Sequence, residues 1–392
     1  MKRKIRIVYI ITRMNIGGVT GHVVQLAKMF NNSQYETFII SGRIEENESD
    51  MTYIDDSSNV KPIYIDNMSR SIRPLQDFLT FFQMIRIIRK LKPDIVHTHT
   101  AKAGFSRFAA WLCGVPIIIH TFHGNNFKGY FSRLMTYVSI SIEKCLALIS
   151  DSIITISNQQ RQDLLDHHIT DDKKICIVPL GFDISGNQLS NKNSFRIKYD
   201  IDQNQHIIAF IGRLTAIKNP WLFLTIAKEL IRKRTDVTFC IIGDGEMRPE
   251  LELDIQKAQL SDRILFTGFI QDMNPVYAAL DILMLTSINE GTPVTIIEAM
   301  ANRKIVISSA VGGVVDLVEN GVNGFTCDMD DTDCFINLTN FVLDNPKKCE
   351  TMSEKAHQKI VAEYSSDCLQ LNLISLYSQL VQKKIRNFEL IK

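Results

Sequence analysis

The chain has 392 residues, 45% of them hydrophobic and 22% charged, with a formal net charge of +1. That length exceeds one ordinary hydrophobic core, so two domains are expected. The composition is that of a soluble globular protein, which excludes disordered and membrane-spanning classes. The charge is uneven: Met1 to Ile184 carries 22 Lys and Arg against 17 Asp and Glu, and the remainder 22 against 26. A mildly basic first half suits an anionic acceptor or a membrane surface; no nucleic-acid partner is expected. The eight cysteines show no C-x-x-C pair and no metal-like spacing, so reduced thiols and a cytoplasmic setting are expected.

In chain order, MKRKIRIVYIITR joins a basic start to an apolar run. The run is too short for a signal peptide and lacks a small-residue cleavage site, so a first buried strand is expected. Glycines 17, 18 and 21 follow, between that strand and a helix, in the order G-G-x-x-G. Dinucleotide sites use G-x-G-x-x-G, which weakens a nicotinamide reading. Backbone at Gly18 is a candidate donor contact.

Further strands are expected at YETFIIS, DIVHTH, PIIIHTF, SIITIS and KICIVPL. Between them, Pro74 to Leu91 places Leu75, Phe78, Leu79, Phe82 and Ile85 on one helical face. Arg86, Arg89, Lys90 and Lys92 in the same segment suit either anionic lipid or plain solvation. Two stretches after strands carry histidines, HTHTAKAG and HTFHGNNF. His123 stands where a cleft residue belongs, whereas His97 and His99 read as packing or supporting residues. No carboxylate of suitable spacing accompanies them, so no metal site is expected.

The polar stretch Ser185 to Ser194 has linker composition. The strand rhythm resumes with HIIAFIG, VTFCIIG, ILFTGF, DILMLTS and KIVISSA. Strand alternating with helix means a parallel sheet covered on both faces, here twice over, with ligands beyond the carboxyl ends of the strands. In FIGRLTAIKNP, Arg213 and Lys218 follow a strand end and suit a diphosphate. Gly243, in IIGDGE, would let backbone approach a ligand.

NEGTPVTIIEAMA holds two carboxylates, Glu290 and Glu298. Thr292 is read as the N-cap and Pro293 as the first helical residue. The N–H groups of Val294 and Thr295, with the helix dipole, then form a phosphate site. Glu298, set further in, suits ribose hydroxyls, or else a core Arg or Lys; Glu290 reaches beyond the phosphates. Asp331 and Asp333 read as a helix start or a solvated turn, not a metal motif. Asp367 to Ile391 is helical in pattern.

Taken together, the Gly-Gly loop, HG after a strand, IVPLGFD, GRLTAIKN, GDGE, the E-x7-E pair and AVGGVVDLVENGVNGF resemble the retaining glycosyltransferases of family 4. The resemblance implies a GT-B fold, two Rossmann-like α/β domains facing across a cleft. It implies an acceptor domain over 1–188, a donor domain over 189–365, and a helix over 366–392 crossing back to the first. By the same resemblance, Arg213 and Lys218 bind the donor diphosphate, Glu298 the ribose, Glu290 the transferred sugar, and His123 lies beside the reacting sugar. The nucleotide-sugar, with UDP the expected carrier, is a substrate and no cofactor is implied. HTFHGNNFKGYFS is similar to a bacterial surface-polysaccharide subgroup, implying a saccharide or lipid-linked saccharide acceptor, and a place at the inner face of the cell membrane. That subgroup often has His where Asn125 stands. The alternatives are a sugar-nucleotide epimerase of the same architecture, or a non-catalytic subunit of a transferase complex.

Overall fold

The computed structural model describes residues 3–15, 18–44, 61–69, 73–124, 133–183 and 192–385. The chain divides into two compact units. Unit 1 comprises Met1–Gly181 with Asp367–Lys392, and unit 2 comprises Phe182–Ser366.

Unit 1 contains strands β1 (Ile5–Arg13), β2 (Tyr35–Gly42), β3 (Ile63–Ile65), β4 (Ile95–His99), β5 (Ile117–Phe122), β6 (Ser152–Thr155) and β7 (Ile175–Ile177). Its helices are α1 (Gly18–Met29), α2 (Pro74–Leu91), α3 (Ala101–Gly104), α4 (Ser106–Leu112), α5 (Arg133–Leu148) and α6 (Asn158–Asp166). The sheet order is β3-β2-β1-β4-β5-β6-β7, every described pairing is parallel, and the winding reverses between β1 and β4.

Unit 2 adds α7 (Lys192–Lys198), β8 (His206–Ile211), α8 (Pro220–Lys233), β9 (Val237–Ile242), α9 (Arg248–Lys257), β10 (Ile264–Gly268), α10 (Asn274–Ala279) and β11 (Ile282–Leu285). It continues with α11 (Val294–Ala301), β12 (Ile305–Ser309), α12 (Val314–Leu317), β13 (Phe325–Cys327), α13 (Thr332–Asp344) and α14 (Pro346–Tyr364). Here the order is β10-β9-β8-β11-β12-β13, again parallel, with the reversal between β8 and β11. The final helix, α15 (Ser366–Lys384), runs from the end of unit 2 into unit 1.

Strands rich in Ile and Val pack on both faces, as parallel sheets require. Along β1, Ile5, Ile7, Tyr9 and Ile11 enter one core while Val8 and Ile10 enter the other. Along β8, Ile208 and Phe210 alternate with Ile207 and Ala209 in the same way. Each fully buried Ile contributes roughly 1.5–3 kcal/mol. From α15, Leu369, Leu373, Leu376, Tyr377 and Val381 complete the first of the unit 1 cores.

Four expectations need correction. The apolar stripe on α2 is mostly uncovered: Leu75, Phe78 and Phe82 are 75%, 60% and 52% exposed, while Ile85 packs half-buried beside the buried Met84 and Ile88. A helix seated through a narrow contact buries only that strip, whatever its apolar width. The short edge strands β3 and β13 were not expected, since their apolar runs are briefer than the KICIVPL run that marks β7. Cys327 and Cys334 are paired as a disulfide, not free. The expected linker includes Lys192–Ser194, which form the first turn of α7; residues 184–191 lie outside the described set.

Candidate active site

In unit 2 the two loops flanking the sheet reversal come together. After β8, Gly212 and Arg213 lead into a short 3-10 turn, Ala216–Lys218, and Asn219 adopts a left-handed backbone before α8. After β11, Thr286 to Pro293 lead into α11. Ile288 N–H donates to Ile217 C=O at 2.9 Å, and Thr286 Oγ1 donates to Asn219 C=O at 2.8 Å, fastening one loop to the other. Carboxyl ends of strands at such a reversal are where ligands bind in open α/β sheets.

Lys218 Nζ donates to both carboxylate oxygens of Glu290, at 2.6 and 2.7 Å, and Ser287 Oγ donates to Glu290 at 2.6 Å. Arg213 is exposed, and its side chain has no hydrogen-bond or ion-pair partner among the described residues. Glycines set the closeness of the loops. Gly312 has φ +52°, and a Cβ there would lie 1.9 Å from Glu290 O; one on Gly313 would lie 1.9 Å from Gly291 O. Gly243, at φ +136°, approaches the Gly212 carbonyl, where a Cβ would come to 2.0 Å. Its small size therefore serves backbone packing, a use the strand-to-turn pattern alone did not reveal.

Helix α11 starts at Val294, with Pro293 as N-cap and no side-chain cap. Thr292 is thus not the cap. Its Oγ1 is buried without a hydrogen-bond partner, as is Thr215 Oγ1 in the opposite loop. Proline without a donor, standing where the chain enters the helix, displaces the boundary by one residue. The first N–H groups of a helix lack partners inside it, and here they belong to Val294 and Thr295.

Glu298 has neither Arg nor Lys as its partner. Tyr277, on α10, donates its hydroxyl to Glu298 Oε2 at 2.6 Å. Burial pushes the Glu298 carboxyl up, and the tyrosine hydrogen bond partly opposes that. Tyr277 was missed because YAALDI reads only as a core helix end; nothing in spacing ties it to a carboxylate 21 residues away.

In unit 1, five histidines gather near the carboxyl ends of β4 and β5. His97 is fully satisfied, with Nδ1 against Tyr377 OH at 2.8 Å and Nε2 against Thr121 Oγ1 at 2.7 Å. His120 Nδ1 meets Thr98 Oγ1 at 2.8 Å. His99 Nδ1 lies 2.8 Å from His123 Nε2, so one ring donates and the other accepts. His22, from α1, packs edge-on to His123 with ring centroids 5.2 Å apart. Burial drives all five below the ordinary histidine range, His22 to about 4 and His97 to about 3, so the rings are neutral at pH 7. His22 was missed as a site residue; it follows the Gly-Gly turn by one helical turn, which is the only signal it carries. Gly18 is the exposed first residue of α1, while Gly17 and Asn125 lie outside the described residues.

Comparison with known proteins agrees with this fold. The family model described as Glycosyltransferase Family 4 matches residues 16–185, and that described as Glycosyl transferases group 1 matches 191–359. An Escherichia coli UDP-Gal:alpha-D-GlcNAc-diphosphoundecaprenol alpha-1,3-galactosyltransferase is 30% identical over 364 residues, spanning 91% of this chain and 92% of that protein. The Staphylococcus aureus capsular polysaccharide biosynthesis glycosyltransferase CapM is 24% identical, over 81% and 84% of the two chains. Among solved structures, Anabaena Alr3699/HepE in complex with UDP superposes with a TM-score of 0.81 at 19% identity, covering 96% of this chain and 100% of that one. A Rickettsia africae ESF-5 glycosyltransferase gives 0.82 at 20% identity, covering 98% and 100%. The fold is GT-B, and the chain belongs to the retaining glycosyltransferases of family 4. It is a transferase enzyme; the epimerase and non-catalytic readings are not favoured.

Proposed function

We propose that the protein transfers a hexose from a UDP-sugar to a hydroxyl of a lipid-linked saccharide in cell-surface polysaccharide synthesis. The observation that carries this reading is the loop pair at the unit 2 sheet reversal. It offers Arg213, Lys218, two unpartnered threonine hydroxyls and the α11 N-terminus, a surface made for a diphosphate. The acceptor class is supported by the galactosyltransferase relative, whose name specifies a diphosphoundecaprenol acceptor.

In this reading the diphosphate takes Lys218 from Glu290 in part and recruits Arg213, so its charge is met by protein cations and helix N–H groups. Glu298, oriented by Tyr277, accepts from ribose hydroxyls. Glu290 is released toward the transferred sugar, and the family resemblance assigns His123 a place beside the same sugar. The bond from the anomeric carbon to the β-phosphate oxygen breaks, with the electron pair leaving on phosphate. The acceptor oxygen bonds to the anomeric carbon on the same face, and its proton passes to the departing phosphate. Stabilising the leaving group is the main catalytic device.

Contact with an anionic membrane is part of the proposal. The exposed α2 residues Leu75, Phe78 and Phe82 stand with exposed Phe105, Phe108 and Trp111, and Phe81 stacks on Phe108. Arg86, Arg89, Lys90 and Lys92 are exposed on or just after the same helix. Aromatic residues beside cations suit the lipid interface. No helix among the described residues is long and apolar enough to cross a membrane. The attachment proposed is peripheral, at the inner face.

The test is a thermal-shift panel of nucleotide-sugars, followed by transfer assays on lipid-diphosphate saccharides with NMR of the product anomer. Binding of a UDP-sugar with an α-linked product from an α-donor is expected. An inverted product, or no stabilisation by any UDP-sugar, overturns the reading. Sedimentation with anionic against neutral vesicles checks the membrane contact.

A further inference from the structure

We propose that His22, His99 and His123 form a binding site for a zinc-class divalent cation. One ring nitrogen from each lies within 4.8 Å of the other two. A tetrahedral zinc with Zn–N of about 2.0–2.1 Å needs ligand nitrogens roughly 3.3 Å apart. Closing a 4.8 Å separation to that value takes a movement of about 1.5 Å, which small ring rotations supply.

Two observations beyond proximity favour a cation. His22 Nδ1 and His99 Nε2 are buried with no hydrogen-bond partner, and a buried polar nitrogen without one is costly. His22 and His99 are buried while His123 is half-buried, so the cluster meets solvent on the His123 side. The surroundings support the ligands: His97, hydrogen-bonded at both nitrogens, packs against His99 with centroids 4.3 Å apart. Three imidazoles suit zinc better than magnesium or calcium, which take oxygen ligands.

Coordination takes a nitrogen of His123, so the cation and the sugar compete for that ring. The cation is therefore an inhibitor, not a cofactor. Binding does not depend on the transferase reading; only the inhibition does.

The experiment titrates the chelator-stripped full chain with Zn²⁺ by calorimetry, and with Co²⁺ by visible absorption. One Zn²⁺ per chain is expected, together with the intense visible bands of tetrahedral Co²⁺. His22→Ala and His99→Gln should each weaken binding on the order of 100-fold while folding normally by circular dichroism. Cys145→Ala, which removes an exposed thiol, should bind unchanged. Zinc binding that survives both histidine variants, or that vanishes with Cys145, overturns the site. In transfer assays Zn²⁺ should inhibit the wild type at concentrations that match its calorimetric affinity. If the site binds zinc but transfer continues, the competition for His123 is wrong while the site stands.

Discussion

Lys218 grips both oxygens of Glu290, and the pair is unequal: the carboxylate is buried, whereas the ammonium is about a quarter exposed. A diphosphate arriving at Arg213 can draw Lys218 outward without stranding the lysine, but Glu290 then needs the sugar or Ser287. Lys218→Ala should abolish transfer and lower stability by about 1–3 kcal/mol, because a buried acceptor loses its donor. The double variant Lys218→Met, Glu290→Gln should recover the melting temperature and not the activity. Calorimetric melts with kcat measurements decide it; a Lys218→Ala enzyme with normal kcat sinks the diphosphate assignment.

Because protein groups meet the phosphate charge in this account, EDTA should leave transfer undiminished, and should raise it in zinc-contaminated preparations. An assay showing strict dependence on Mg²⁺ or Mn²⁺ would mean that Arg213 and Lys218 do not suffice.

His123 belongs to unit 1, and every other proposed catalytic residue belongs to unit 2. His123→Ala should therefore cut kcat on the order of 100-fold or more and leave UDP affinity within about twofold of the wild type. Calorimetric titration with UDP is the check, and a parallel loss of affinity would make the residue structural.

Glu298→Gln should weaken UDP binding on the order of tenfold or more, since charge-assisted hydrogen bonds contribute roughly 1.5–3 kcal/mol each. Tyr277→Phe should act more subtly. Donation from Tyr277 holds the Glu298 carboxyl down against burial, so its loss raises that group further. UDP affinity of Tyr277→Phe should then begin to fall at a higher pH than in the wild type. Superimposable pH profiles would show that the hydroxyl does not tune the carboxylate.

Burial lowers His22 to about 4, from 6.5 in an unfolded chain. As pH falls below 6.5 the unfolded chain binds the proton first, so stability present above 6.5 is lost progressively toward 4. At pH 5 the loss from this residue alone is on the order of 2 kcal/mol. In EDTA, His22→Gln should show a flatter fall of melting temperature between pH 6.5 and 5 than the wild type.

Much of the proposed donor site was legible as a set of neighbouring residues because its parts are local in sequence. Arg213 and Lys218 lie five residues apart after one strand, and Glu290, Val294, Thr295 and Glu298 lie in one short run after another. Eleven of the strands were legible from apolar runs of β-branched residues. What was not legible depends on tertiary encounters. Tyr277 and Glu298 meet across two helices, His22 joins His99 and His123 from separate elements, and the exposure of Phe78 and Phe82 reflects how α2 is seated. Periodicity records which face is apolar, not whether another surface covers it.

The last helix has a consequence for biosynthesis. Unit 2 is one continuous stretch, whereas the core of unit 1 needs Leu369, Leu373, Leu376 and Tyr377 from α15. A ribosome adding roughly 5–20 residues per second takes about ten to forty seconds to pass through unit 2 after finishing Gly181. During that interval the first 181 residues are out in the cell without α15 against one apolar sheet face, and unit 2 has all of its residues before α15 is made. The order of completion is thus the reverse of the order of synthesis, and the nascent chain is a natural client for chaperones that shield apolar surface.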